Sequence, residues 1–225
     1  AYLLFSTFRR AEQNQVWVGM AKETAHQLGT PLSSLMAWLE ILKDQGVDHD
    51  SIAEMNKDVM RLETITERFS KIGSTAKLET LNIVELVTGC LDYMKGRISK
   101  KIDIEINNKG LNLSCKVNKA LFEWVIENVV KNAVDAMQGE GRLTINFGLD
   151  NKMISIDISD TGKGIPLNKT KNVFEPGYTT KERGWGLGLS LAKRIIEEHH
   201  DGKIFVLTTE IKAGTTFRIL LKTIN

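Results

Sequence analysis

His26 is the residue in the first third of the chain whose side chain is best suited to nucleophilic chemistry. An unperturbed imidazole is largely neutral at pH 7, so one of its ring nitrogens carries a free lone pair. The histidine lies one position beside the seam of an apolar heptad, and we therefore expect its ring at the edge of a helical bundle. Pro31 follows one turn later, removes a backbone donor and predicts a kink. Taken alone, His26 is interpreted more simply as a surface histidine.

A pair of asparagines forms a second group with chemical potential. Asn128 and Asn132 lie four residues apart and therefore share one face of a predicted helix. Neutral amide oxygens suit a Mg²⁺ ion that nucleotide phosphates already neutralise and that keeps several waters. Two exposed asparagines without a ligand are an equally good interpretation of this pair alone.

A third group, residues 160–166, follows a strongly apolar stretch and contains two spaced glycines. Asp160, at the end of a predicted strand, can accept a hydrogen bond from the exocyclic amine of adenine. Gly162 and Gly164 would let the backbone pass close beneath the ring. A simple glycine turn is the alternative for so short a motif.

The last group is the glycine-rich segment 184–190, which opens a predicted helix. Glycines at a helix N-terminus expose backbone N–H groups to an anion such as a phosphate. The segment is not a P-loop, because no Gly-Lys-Ser/Thr follows, and it lacks the spacing of a dinucleotide fingerprint. We interpret residues 167–186 as a mobile flap over a nucleotide, from which Lys181 reaches the phosphates.

Two long helices are predicted before these motifs. The first covers residues 10–45 and stops at Gly46, and the second starts at Asp48 or Asp50 and continues to residue 72. Their apolar stripes consist of Val18, Ala21, Ala25, Leu28, Leu32, Leu35, Leu39 and Leu42, and of Ile52, Met55, Val59, Leu62, Ile65, Phe69 and Ile72. A lone antiparallel hairpin cannot bury both stripes, so we predict a homodimeric four-helix bundle over residues 10–72.

A linker is predicted at residues 73–77, and a mixture of strands and helices follows it. The predicted strands cover residues 78–82, 101–107, 112–117, 142–149, 153–159, 203–208 and 216–221, and the predicted helices cover 83–98, 121–137 and 187–199. Because strands and helices do not alternate strictly, the pattern predicts an α+β sandwich, with one mixed sheet and helices on one face.

The amino-acid composition indicates a globular protein and gives no sign of a nucleic-acid partner or a cysteine metal site. The 225 residues are 42% hydrophobic and 26% charged, as in an ordinary globular protein. Since 30 basic residues are interleaved with 28 acidic ones, no nucleic-acid partner is expected. Cys90 and Cys115 lack a metal-like spacing, and we expect two buried, reduced thiols in a cytosolic environment.

The N-terminal residues 1–8 are apolar and are followed by Arg9 and Arg10. This pattern is typical of the cytoplasmic end of a transmembrane helix, and the start of a coiled coil is the alternative. We favour the membrane interpretation for residues 1–9. Eight residues are too few to span a bilayer, so a soluble chain is expected, with membrane attachment only through a preceding segment.

Together the motifs resemble the catalytic core of bacterial two-component sensor histidine kinases. In order, the similarity comprises a phospho-acceptor box (26–31), an N box (128–132), a first G box (160–165), an F box (174–176), a second G box (184–189) and a closing strand (214–217). It covers residues 12–222, and the five boxes in the expected order make chance implausible although each is weak alone. The family implies a dimerisation and phosphotransfer domain at 10–72 and a Bergerat-type ATP-binding α/β sandwich at 78–225.

The resemblance also implies ATP and Mg²⁺ as cofactors. Asp160 would bind adenine, Asn132 the metal, and Asn128 the phosphates or the metal. Further residues implied around the nucleotide are Asp135, Gly162, Gly164, Ile165, Thr179, Thr180, Lys181, Gly184, Gly186, Leu187, Gly188, Leu189 and Thr216. His26 would attack the γ-phosphorus in line and pass the phosphoryl group to an aspartate of a response-regulator receiver domain. Thr30 matches the position that orients water for dephosphorylating that regulator, and the full-length protein would lie in the bacterial inner membrane.

Three positions depart from the family pattern. Gln27 replaces the usual Glu or Asp after the histidine, and an amide cannot act as a base near neutral pH. Another group or water then takes the proton, or autophosphorylation is slow, or phosphatase work matters more. Asp135 replaces a frequent lysine, as in nitrogen-regulation kinases and related ATPases, and Trp185 replaces a small residue.

Three hypotheses therefore stand. The first is an ATP-dependent histidine kinase with phosphatase activity. The second is a Bergerat-fold ATPase, against which Asn128 argues, because those enzymes place a water-activating glutamate there, although Glu127 is adjacent. The third is a non-catalytic dimeric nucleotide sensor, which Gln27 makes conceivable.

Overall fold

The computed structural model describes residues 27–72, 77–108, 110–181 and 186–224. The chain divides into two compact units, Ala1–Ala76 and Lys77–Asn225. Residues 1–26, with the apolar N-terminal segment and His26, lie outside the described residues, as do residues 73–76 of the predicted linker.

The described part of the first unit is a helical hairpin. Helix α1 is described from residue 27 to 44, and helix α2 spans His49–Ile72. Gly46 adopts a φ of +75°, and Val47 donates its N–H to the Leu42 carbonyl, which is a glycine-based helix ending. The Asp48 carboxylate accepts the Ser51 backbone N–H at 2.9 Å and so caps the start of α2.

The hairpin buries only part of its apolar stripes. Its core consists of Leu32, Leu39, Ile52 and Val59, with Leu42 packed against them. Other large apolar residues of the hairpin stay exposed, namely Leu28, Leu35, Met36, Trp38, Ile41, Val47, Met55, Met60 and Leu62. Among residues 27–72, one apolar face of each helix is therefore left without a partner.

The second unit contains three helices and seven strands among its described residues. The strands are β1 (Glu79–Asn82), β2 (Ile102–Asn107), β3 (Ser114–Val117), β4 (Gly141–Asp150), β5 (Met153–Asp160), β6 (Lys203–Glu210) and β7 (Gly214–Lys222). The helices are α3 (Ile83–Lys95), α4 (Lys119–Ala136) and α5 (Gly188–Arg194), and α5 continues as a π-helical turn over Ile195–His199.

Five strands form one mixed sheet in the order β2-β4-β5-β7-β6, in which only β2 and β4 pair in parallel. Strands β1 and β3 pair with each other in a separate two-stranded sheet, so the prediction of a single sheet is wrong in this respect. The turn between β4 and β5 uses Asn151 and Lys152, both at positive φ, as a tight hairpin requires.

One face of the large sheet carries the core. Along β5, Ile154, Ile156 and Ile158 are fully buried, whereas the alternating residues are half-buried. Asn82 and Asn118 cap α3 and α4 with their side chains, which fixes where these helices begin. Helices packed on a mixed sheet confirm the predicted α+β class. In the described residues, no helix is long and apolar enough to cross a membrane.

Candidate functional site

Helix α4 presents the two asparagines on one face. The Asn132 amide nitrogen donates to the Asn128 backbone carbonyl one turn earlier, at 2.9 Å. The side-chain nitrogen of Asn128 is buried and has no hydrogen-bond partner in the part of the chain that the structure describes. A buried donor without a partner is costly unless a ligand or water accepts from it, so this amide marks a place where an acceptor belongs.

Asp160 ends β5 and is only 6% exposed. Its carboxylate accepts the Gly162 backbone N–H at 2.8 Å. Burial raises the pKa of Asp160, while the backbone N–H groups of Gly162 and Thr215 act in the opposite direction. A buried carboxylate held by backbone donors is a directional acceptor for a donor group of a ligand.

The glycines after Asp160 bring its loop against α4. A Cβ at Gly162 would lie 2.6 Å from the Ala136 carbonyl carbon, and Lys163 donates its N–H to the Ala136 carbonyl. Gly164 has a φ of +74° and lies against the Glu210 carbonyl, where a Cβ would be 2.1 Å away. Ile165 is held there through its N–H and the Thr209 hydroxyl at 2.8 Å. These approaches place the Asp160 loop beside the end of the asparagine helix.

The start of α5 lies beside the asparagine face of α4. A Cβ at Gly188 would lie 3.3 Å from the Asn128 amide oxygen, so the beginning of α5 abuts the asparagine face. Gly186 adopts a φ of +65° and accepts the Gly177 N–H through its carbonyl at 3.1 Å. Leu187 and Leu189 are half-buried in the same turn, and the Leu187 carbonyl accepts the Ser190 hydroxyl. Gly184 lies outside the described residues.

The segment 179–181 contacts two parts of this site. The Lys181 ammonium donates to the Asn132 amide oxygen at 2.8 Å and to an Asp135 carboxylate oxygen at 2.5 Å. The Thr180 hydroxyl accepts from the Lys163 ammonium at 3.2 Å, and the Thr179 hydroxyl accepts the Lys181 backbone N–H. The ion pair between Lys181 and Asp135 joins residues 46 positions apart.

The closing strand places its two threonines on opposite faces. The sequence points to Thr216, but Thr216 pairs with Ser159 and shares a 2.9 Å hydroxyl contact with it. Thr215 pairs with Asp160 and is buried like it, at 5% exposure. Since neighbouring residues of a strand point to opposite faces, Thr215 rather than Thr216 shares the face of Asp160. The alternation in β7 carries this signal, which sequence reasoning missed.

The contact that Asn132 makes with a lysine shows that its amide oxygen can bind a cation. The Asn132 amide oxygen already accepts from the positively charged Lys181, whose charge the Asp135 carboxylate balances. No group of three or more His, Cys, Asp or Glu side chains arranged for a metal occurs in the described residues. A Mg²⁺ ion held by neutral amides would take its remaining ligands from nucleotide phosphates and water.

The predicted phosphotransfer residues lie in the other unit. Gln27 and Thr30 are exposed on the described part of α1, whereas His26 lies outside the described residues. The structure therefore leaves the roles of these three residues as predictions, and it brings together Asn128, Asn132, Asp135, Asp160, Gly162, Lys181 and Gly188 within the second unit.

Comparison with known families agrees with this arrangement. Residues 117–225 match the family described as histidine kinase-, DNA gyrase B-, and HSP90-like ATPase. Sporulation kinase C of Bacillus subtilis (strain 168) is 30% identical over 221 residues, which cover 95% of this chain and 50% of that protein. The chain thus spans half or less of the first curated relatives it matches.

Comparison with solved structures shows that the chain shares its fold with histidine kinases. The catalytic domain of the histidine kinase ThkA has a TM-score of 0.59 and 27% identity, over 64% of this chain and 95% of that domain. ThkA in complex with the response regulator protein TrrA covers 99% of this chain and 66% of that chain, with a TM-score of 0.63 and 22% identity. The predicted resemblance and the Bergerat-type α/β fold are both confirmed.

Proposed function

We propose that this chain, the catalytic core of a two-component sensor histidine kinase, transfers the γ-phosphoryl group of ATP to His26 and from there to an aspartate of a response regulator. The observation that carries the proposal is the meeting of Asp160, the Asn128–Asn132 face and the start of α5 at one site of the second unit. The similarity to sporulation kinase C also covers 95% of this chain, and so includes both units.

Asp160 supplies the base recognition. Its carboxylate is fixed by the Gly162 N–H and accepts the exocyclic amine of adenine, with Thr215 beside it on the same face. Gly162 and Gly164 leave no room for side chains, so the backbone stays close to the ring.

The phosphate end lies along α4. Asn132, assisted by Asn128, would hold Mg²⁺ through its amide oxygen, and the ion would neutralise negative charge that develops on the phosphates. The Asn128 amide nitrogen, which has no hydrogen-bond partner among the described residues, donates to a phosphate oxygen. Lys181, which contacts Asn132 in the nucleotide-free protein, turns to the phosphates when the nucleotide and the metal bind.

At His26 the neutral imidazole nitrogen forms a bond to the γ-phosphorus while the bond to the leaving ADP oxygen breaks. The phosphorylated ring is cationic until its other nitrogen releases a proton. Gln27 cannot take the proton, because an amide is not a base near neutral pH, so another group or water receives it. The transfer then depends mainly on positioning and charge neutralisation.

An oxygen of the receiver-domain aspartate then forms a bond to phosphorus while the bond from phosphorus to the ring nitrogen breaks, and the ring takes up a proton from water, which restores the neutral imidazole. Thr30, exposed one helical turn after His26, orients water when the same surface removes the phosphoryl group from the regulator. ThkA, a structural neighbour, has been solved with its response regulator, and the fold shared with it supports a partner of this class.

A second copy of the chain covers the exposed stripe of the hairpin. Leu28, Leu35, Met55 and Leu62 are 40–49% exposed, although each lies on the predicted apolar seam. Four such residues per chain form the inner layer of a four-helix bundle when two hairpins pair, which gives the homodimer. The apolar pattern of residues 1–9, which lie outside the described residues, supports attachment of the kinase to the bacterial inner membrane, with this chain on the cytoplasmic side.

Incubation with γ-labelled ATP and Mg²⁺ tests the proposal. Wild-type protein is expected to acquire an acid-labile, base-stable label, and the His26→Gln variant none. Free phosphate without labelled protein would indicate an ATPase instead. Bound ATP with neither product would indicate a nucleotide sensor.

A further inference from the structure

The Lys181 ammonium donates a hydrogen bond to the amide oxygen of Asn132, which is the oxygen assigned above to the metal. Its distance to that oxygen is 2.8 Å, and its distance to the Asp135 carboxylate is 2.5 Å. Asn132 is fixed in turn, because its amide nitrogen donates to the Asn128 carbonyl. The oxygen therefore points toward Lys181 and is in contact with a positive charge.

A lysine ammonium and a divalent cation cannot share this oxygen at low cost. Both cations would lie within about 3 Å of the Asn132 oxygen and therefore close to each other. Like charges at such short range repel strongly. Dehydration of Mg²⁺ is already unfavourable, so a competing cation at its ligand weakens binding further. Lys181 must leave Asn132 before the metal binds there.

We propose that Asp135 is a positioning residue that holds Lys181 on Asn132 in the nucleotide-free protein, where the ammonium acts as an intramolecular competitor of Mg²⁺. The inference rests on the proposed function, since it assigns the metal to Asn132. Asp135 and Lys181 thereby set how much Mg²⁺ the site needs, and neither residue has to touch the metal.

Exposure of the pair makes the competition reversible. The side chains of Lys181 and Asp135 are 40% and 53% exposed, so solvent screens their attraction. Metal bound together with nucleotide phosphates can displace such a pair, whereas a deeply buried pair would block the site. The competitor therefore shifts the Mg²⁺ requirement moderately and does not abolish binding.

The test is a Mg²⁺ titration of nucleotide binding with the whole chain. A fluorescent ADP analogue is held at a fixed subsaturating concentration at constant ionic strength, and the Mg²⁺ concentration giving half-maximal binding is measured. For Asp135→Asn and for Lys181→Gln we expect this concentration to fall about twofold to fivefold, as for loss of an exposed ion pair. The double variant should shift no further than either single one, because both break the same contact.

Asp92 and Lys95 provide a matched control. They form an exposed ion pair at 2.6 Å on α3, and none of the motif residues takes part in it. Asp92→Asn and Lys95→Gln remove the same charges and should leave the Mg²⁺ half-point at the wild-type value. A shift in these controls equal to that in the site variants would mean a general charge effect and would overturn the inference.

Other outcomes also contradict it. An unchanged half-point in both site variants would show that the pair does not compete with the metal. A raised half-point would show that these residues help to bind Mg²⁺, and a shift in only one variant would remove the positioning role of Asp135. Each of these three results leaves the kinase proposal intact as long as wild type binds the ADP analogue, whereas absence of any nucleotide binding would overturn the inference and the kinase proposal together.

Discussion

Gly214 lies so close to the main chain of Asp160 that a Cβ at this position would be 1.8 Å from the Asp160 carbonyl oxygen. Its φ of +117° is also a conformation that side chains rarely adopt. The beginning of β7 therefore fixes the residue assigned to adenine, and only glycine fits there.

Gly214→Ala is expected to push β7 away from Asp160. We predict a loss of stability of about 1–3 kcal/mol from backbone strain, together with much weaker nucleotide binding. Urea unfolding and titration with ADP measure the two effects. Gly89→Ala is the control, because nothing lies near Gly89 on α3 and alanine there should stabilise the helix by about 0.5–1 kcal/mol. Normal binding by Gly214→Ala would refute the packing argument.

Asp160→Asn should weaken ADP binding about 10- to 100-fold, because the hydrogen bond to a charged acceptor is lost. The preference for ADP over GDP should fall with it. Since burial raises the pKa of Asp160, acid should weaken wild-type ADP binding at a higher pH than an ordinary aspartate would allow. Competition titrations across pH measure both effects. Unchanged base preference in the variant would show that another residue reads the base.

We predict that the burial of His200 makes the free energy of unfolding depend on pH. The ring is 6% exposed, and its Nε2 accepts the Asn118 N–H at 3.0 Å while Nδ1 donates to the Ile195 carbonyl. Burial lowers the pKa of His200, and the nearby His199 lowers it further, so the unfolded chain takes up the proton first as the pH falls. Its contribution to stability is complete above about pH 6.5 and is lost as the pH falls through the lowered pKa.

His200→Gln should therefore flatten the change in urea-unfolding midpoint between neutral and mildly acidic pH. Near-UV circular dichroism follows the unfolding. His49→Gln, at the exposed start of α2, should keep the wild-type pH profile. A variant at position 200 that loses stability in acid as steeply as wild type would contradict this assignment.

Leu35→Glu should separate the proposed dimer. Leu35 is 46% exposed on the apolar seam, and burying a leucine contributes about 1.5–3 kcal/mol for each copy. The dissociation constant is expected to rise at least about 100-fold. Light scattering should give the mass of one 25.2 kDa chain for the variant and twice that mass for wild type. Ala37→Glu, exposed on the opposite face of α1, should remain dimeric.

Elements with a strong local pattern could be predicted from the sequence. The alternation of Ile154, Ile156 and Ile158 determines both the existence of β5 and its buried face. The order of the motifs also indicated that Asn132 and Asp160 belong to one site. The close packing of Gly162 on the end of α4 explains how these two segments meet.

Pairings between distant segments could not be predicted in the same way. Strand character at β1 and β3 is local, but their choice of each other over the large sheet depends on the whole fold. The contact of Lys181 with Asp135 joins two exposed residues far apart in sequence, and no periodicity signals it. Identifying Thr215 as the threonine on the face of Asp160 requires the register of β7 against β5, and no local pattern in the sequence indicates that register.

Mapping the phosphoryl group to a single side chain tests the central claim most directly. After incubation with ATP and Mg²⁺, the protein is digested at alkaline pH, where phosphohistidine survives, and the peptides are analysed by mass spectrometry. We predict that the phosphoryl group lies on His26 in wild type, and that it is absent from the Asn132→Ala and Asp160→Asn variants. A phosphoryl group on any other residue, or undiminished phosphorylation of His26 in both variants, would contradict the account.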